Sequence, residues 1–205
     1  MQVYLAQQAT HSFFNQANAE DTSKSRLYSF NPLAQHLNAV IGGYQSYLLV
    51  MCAFASEWRT VDFVGHHVCT LGVSVMASCG FVHYYVFFFA GVAEWSTVAL
   101  GVVDLYKTMP REWVAEHAQS FLAVRVFFAL AFLPIRGVMW PCMTFFMASD
   151  MYNTYPDVHS KPAWAYIGTV CVLLTMLQFT WGVTIVKALA KAAGLGGTSG
   201  KGKGD

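Results

Sequence analysis

The sequence predicts an all-α fold: a polytopic membrane helical bundle of about five transmembrane helices. Three observations carry that prediction. Of 205 residues, 56% are apolar and only 11% are charged, against about 25% charged in an ordinary soluble domain. The apolar residues fall into long, nearly uncharged runs rather than the short alternating segments of a water-soluble core. Five runs, over 37–56, 63–81, 83–105, 118–140 and 163–186, reach the roughly 20 residues needed to cross a hydrocarbon core of about 30 Å.

In chain order, residues 1–35 read as a polar N-terminal segment containing Gln2, Gln7, Gln8, Asn15, Glu20 and Asp21, with no apolar stretch suited to a signal peptide. The transmembrane domain occupies 36–190. Only Gly80, Phe81 and Val82 separate the second and third spans, which predicts a tight antiparallel hairpin or a single bent helix. Pro134, Arg136 and Pro141 mark the end of the fourth span, so the apolar stretch Cys142 to Met151 reads as a re-entrant or interfacial piece. Residues 191–205, with Gly194, Gly196, Gly197, Gly200, Gly202, Gly204, Lys201 and Lys203, have the composition of a flexible basic tail.

Five spans put the termini on opposite faces. Lys24, Arg26 and Lys161 then share one face, and Arg59, Lys107, Arg111, Lys187, Lys191, Lys201 and Lys203 the other, so the cation bias places the C-terminus in the cytosol or matrix. The formal net charge of +1 offers no basic surface for nucleic acid. The five cysteines, Cys52, Cys69, Cys79, Cys142 and Cys171, show no CxxC spacing and imply neither a disulfide framework nor a zinc site. No cofactor is implied.

Ionisable residues inside membrane helices are costly, and each is a functional-site candidate. Asp62 and His66 share a face of the second span, with His67 and Thr70 beside them, while Glu94, Ser96 and Thr97 interrupt the third. Counting outward from the Phe81/Val82 pivot, His67 matches Ser96 in depth and His66 matches Thr97. Arg125, one or two turns into the fourth span, enters from the cation-rich face, so Asp62, His66, His67, Glu94, Ser96 and Arg125 are expected in one layer. Polar residues also serve as interhelical hydrogen-bond glue, and a structural latch stands beside the functional reading. His66 and His67 point about 100° apart on a helix, unlike an i, i+4 zinc pair, so no metal is assigned. His11, His36, His83, His117 and His159 receive no catalytic role. Tyr84, Tyr85, Trp113, Trp140 and Trp164 read as interfacial anchors.

The run Asp62 to Thr70, with its His66-His67 pair, followed by Gly91-Val92-Ala93-Glu94-Trp95-Ser96-Thr97, resembles the TLC domain family, which includes ceramide synthases and smaller TLC-domain membrane proteins. Ser29 to His36, Phe121 to Arg125 and Gln178 to Trp181 agree with its flanking motifs. Ala93, Glu94 and Thr97 stand where ceramide synthases carry His-Asp and a further Asp, so the smaller proteins are the closer likeness. The resemblance implies a shortened TLC-type barrel whose usual first helix is missing and whose open side invites a neighbouring subunit or lipid.

The resemblance implies a lipid-binding or lipid-handling protein with membrane lipids as ligands and an endoplasmic reticulum location. The lipid-binding set is then Asp62, Thr70, Ser96, Thr97, Gln178 and Trp181. Two alternatives stand beside it. One is a non-catalytic accessory subunit of a larger membrane complex, with other membrane subunits as partners and the mitochondrial inner membrane as a candidate location. The other is an acyl-CoA-dependent N-acyltransferase of lipid metabolism, in which His66 or His67 acts as base or acyl acceptor, Arg125 stabilises negative charge, and Glu94 completes the catalytic set.

Overall fold

The computed structural model describes residues 2–16, 22–158 and 160–192. The Gly/Lys tail beyond residue 192 and His159 lie outside the described residues. Helices α1 (Gln2–Gln16) and α2 (Ser23–Tyr28) precede α3 (Pro32–Met51) and α4 (Val61–Ala77). Next come α5 (His83–Thr108), the short α6 (Arg111–Glu116), α7 (Ala118–Asn153) and α8 (Lys161–Ala192). Helices α5, α7 and α8 are each long and apolar enough to cross a membrane. The fold is an all-α membrane bundle, as the composition predicted.

Helix α3 is less apolar because its polar residues turn inward and are bonded there. Asn38 Nδ2 donates to Ser74 O at 2.8 Å and to Ser78 Oγ at 3.0 Å, and Gln45 is 5% exposed beside His67. In a membrane such pairing must replace water. Asn31 caps the start of α3 by accepting from the backbone N–H groups of Leu33 and Ala34, with Pro32 supplying a pre-set φ in the first turn. Arg59 closes the other end, donating to Cys52 O at 2.7 Å and Ala53 O at 2.5 Å, where the helix dipole favours a cation.

Five helices close a ring in the order α3, α4, α8, α7, α5 and back to α3. The second and third predicted spans, α4 and α5, are consecutive in the chain but do not form the expected tight hairpin. Helix α4 packs principally against α3 and α8, and α5 against α3, α7 and α1. The link between α4 and α5 turns with Gly80 at φ 81° and Val82 at φ 59°. The uncommon Val82 conformation is held by its N–H donating to Leu27 O at 2.7 Å. His83, fully buried, stitches the same corner: its Nδ1 accepts from Asn31 N–H at 2.9 Å while Nε2 donates to Ala77 O at 2.8 Å. It belongs to the buried core.

One further expectation is corrected. Cys142 to Met151 is no re-entrant piece; it continues α7, and Pro134 and Arg136 sit inside that helix. Pro134 has no N–H and cannot join the usual ladder, and residues Leu133–Met139 widen into a π-turn instead of ending the helix. Residues 2–16, within the polar N-terminal segment, form a helix. Helix α1 packs on α5, where Ala6 and Ala9 are buried and Trp95 Nε1 donates to Thr10 Oγ1 at 3.0 Å.

At the end of the ring remote from Lys107, Arg26 of α2 makes a two-pronged pair with Asp150, donating from Nε at 2.6 Å and Nη2 at 2.5 Å, and Tyr85 donates to the same carboxylate. That carboxylate pushes the Arg26 guanidinium above its ordinary pKa. The clamp ties α2, α5 and α7 together at the face bearing Lys24. Cysteines introduced at Lys24 and at Lys191 are therefore expected to react with an impermeant reagent from opposite sides of sealed vesicles, above the labelling of the unsubstituted chain. Labelling of both from one side would contradict the ring's passage through the bilayer.

Candidate functional site

The ring encloses two adjoining cavities. The larger, about 560 Å³, opens toward Asp104 and Lys107 and is walled by α3, α4, α5, α7 and α8. The smaller, about 80 Å³, is lined mostly by apolar groups such as Ile41, Phe89, Trp140 and Leu174. Gln45, His66, Glu94 and Arg136 line both and form a polar collar where they meet.

Two π-segments place that collar. Helix α5 widens over Phe88–Val92, directly ahead of Ala93 and Glu94, and α7 widens over Leu133–Met139 around Arg136. Such insertions re-aim side chains and recur at functional sites. Arg136 Nε donates to Ser96 Oγ at 2.6 Å, and Nη2 donates to Thr97 Oγ1 at 3.0 Å and Ala93 O at 3.3 Å. Nη1 reaches Gln178 Oε1 at 3.5 Å, and the Glu94 carboxylate lies 3.8 Å from Nη2. The guanidinium also lies 5.5 Å from the Trp140 ring centroid, a cation–π contact. One buried cation facing one buried anion leaves the collar with no net charge.

Three buried polar atoms here have no hydrogen-bond partner: His66 Nδ1, Glu94 Oε2 and Gln178 Nε2. A buried polar atom left so costs about 1–3 kcal/mol; His66 and Glu94 line both cavities, and Gln178 lines neither. The two histidines diverge as the helix angle requires. His67 Nδ1 donates to Gln45 Oε1 on α3, whereas the His66 ring lies 5.4 Å from the Trp181 ring on α8.

The structure thus brings His66, His67, Glu94, Ser96, Thr97 and Trp181 to the larger cavity, Thr70 to the smaller, and Gln178 to Arg136. Two predicted residues stay outside. Asp62 is exposed at the start of α4, where Trp181 Nε1 donates to it at 3.4 Å. Arg125 does not join the layer; it lies over the Phe121 ring at 5.7 Å and lines neither cavity. The cation is Arg136, which the sequence pattern places at a span end and the structure places inside α7. The uncharged run from Gly137 to Ser149 was the signal that α7 continues past it. Among the described residues no group of three His, Cys, Asp or Glu side chains gathers as a metal set.

A closed ring of apolar helices around a polar-collared cavity defines a multi-pass membrane protein with an internal chamber. The sequence profile of the TLC domain matches residues 3–187, and the chain belongs to that family. The match includes α1, and α1 covers a flank of α5. No curated protein and no solved structure matches the chain.

Proposed function

We propose that the protein binds a membrane lipid inside the ring, with an acyl chain along the apolar walls and a polar group of the lipid at the collar. The observation that carries this reading is the pair of unpartnered atoms, His66 Nδ1 and Glu94 Oε2, on residues that line a cavity of about 560 Å³. A latch built only to join helices would satisfy its own donors and acceptors. Because the collar carries Arg136 against Glu94, it suits a hydroxyl, amide or ester better than a net charge.

Gly101 tests the reading sterically. It lines the larger cavity, and a side chain there meets nothing within 4 Å at its first atom. Gly101→Phe is expected to leave thermal stability close to that of the native chain while the lipid retained through mild-detergent purification falls several-fold. Undiminished lipid in the folded variant would sink the proposal. Acyl transfer is a second reading, favoured by the unpartnered His66 Nδ1 at the collar, where an imidazole could take a proton or an acyl group.

A further inference from the structure

Helix α1 has two opposite faces. Ala6 and Ala9 are buried, and Phe13 packs near Phe88 at 5.8 Å between ring centroids. Val3, Tyr4, Gln7, His11, Phe14 and Asn15 are exposed. Helical spacing puts these six within about 120° of one another, directly opposite the buried set.

The depth of this face makes its polarity notable. Ala9 sits against Gly91, and Thr10 against Trp95. Gly91 and Trp95 lie about 12 and 18 Å along α5, a helix about 39 Å long. The exposed Gln7 and His11, on either side of Ala9, are therefore at hydrocarbon depth, where polar side chains seek partners inside protein, while Asn15 lies nearer the start of α5, beyond Phe13 at Tyr84. The one contact within the stripe, Asn15 Nδ2 to the His11 ring at 3.1 Å, uses only part of what these side chains can donate and accept.

We propose that this face of α1 is a homodimer interface, packing against α1 of a second copy of the chain. Two observations select the occupant. Tyr4, Gln7, His11 and Phe14 follow the 3-4-3 spacing of a helix-pairing seam, so the face fits another helix lying nearly parallel to it. Every polar group on it also pairs with its own kind: Gln and Asn amides each carry donors and an acceptor, and an uncharged imidazole carries one of each. Two copies related by a twofold axis along the membrane normal keep the same orientation in the bilayer and place Gln7 opposite Gln7 and His11 opposite His11, with Asn15 flanking the seam. Lipid tails complete none of these bonds. The ring itself stays intact in such a pair, because α1 lies outside it.

The test is oxidative cross-linking in native membranes. His11→Cys is expected to give a disulfide-linked species of twice the 22.7 kDa chain mass, several-fold above the yield from the unsubstituted chain and from Phe145→Cys, an exposed position on α7. Gln7→Leu, His11→Leu and Asn15→Leu combined make the face fully apolar, and that variant should run as a folded monomer in nanodiscs where the native chain runs as a dimer. Cross-linking of His11→Cys no greater than the controls overturns the proposal, as does an adduct of another mass, which would assign the face to a different protein. Persistence of the dimer in the triple variant overturns the role given to the polar pairs.

Discussion

Arg136→Met is expected to destabilise the fold by about 3–5 kcal/mol, because it leaves the Glu94 carboxylate buried without its cation. Glu94 is 8% exposed, and Arg136 is its ion-pair partner at 3.8 Å. The same guanidinium donates to Ser96, Thr97, Ala93 O and Gln178, so one substitution also strands acceptors on α5 and α8. Arg136→Lys keeps the charge but lacks the planar fork that serves several acceptors at once, and its midpoint should fall between native and Met. The double variant Glu94→Gln with Arg136→Met should recover most of the loss, since removing both charges is far less costly than removing one. Thermal unfolding in a fixed detergent measures all three. An Arg136→Met protein as stable as the native chain would show that the ion pair contributes nothing to holding α5 against α7.

Gly91→Ala should release α1 from the bundle. A methyl group at Gly91 would overlap Ala9 Cβ and lie 3.5 Å from Ala9 Cα; both positions are fixed by the α1 backbone, and neither atom can rotate aside. In an open helix this substitution stabilises by about 1 kcal/mol. Here overpacking of about 1–3 kcal/mol wins, and the cheapest relief is for α1 to move away. Faster proteolysis and amide exchange within residues 2–16, with α5 to α8 unchanged, is the expected signature. Gly101→Ala, at a position with no neighbour within 4 Å, is the control and should be neutral or slightly stabilising. Equal protection of α1 in both variants would show that the close approach at Gly91 does not hold it.

Much of the site was legible because a polar residue inside an apolar span is costly unless it has an inward role. Polar residues inside apolar runs marked His66, His67, Glu94, Ser96 and Thr97, and all five line the larger cavity. The choice between Arg125 and Arg136 was not legible from helical phase. Eleven residues make just over three complete turns, so both arginines project from almost the same side of a regular helix and differ only in depth. Arg125 lies about 10 Å from the start of α7 and Arg136 about 27 Å; Glu94 lies about 21 Å from the neighbouring end of α5. Reading Pro134 as a stop hid the deeper residue, although a proline within a long span is accommodated where the backbone widens.

The sequence by itself determined the class of protein: long uncharged runs can satisfy their backbone in a bilayer only as helices, and the polar residues that interrupt them have to face one another. Its family motifs likewise lie in plain view between Asp62 and Thr97. Tertiary structure alone decided how the spans are ordered around the ring. It separated α4 from α5, although five residues join them, because the inward polar face of α3 bonds to α4 through Asn38 and Gln45 while α5 is held at its flank by α1. It also decided which cation meets Glu94. The π-segments at Phe88–Val92 and Leu133–Met139 depend on packing between helices rather than on local propensity, and their register sets the aim of Arg136.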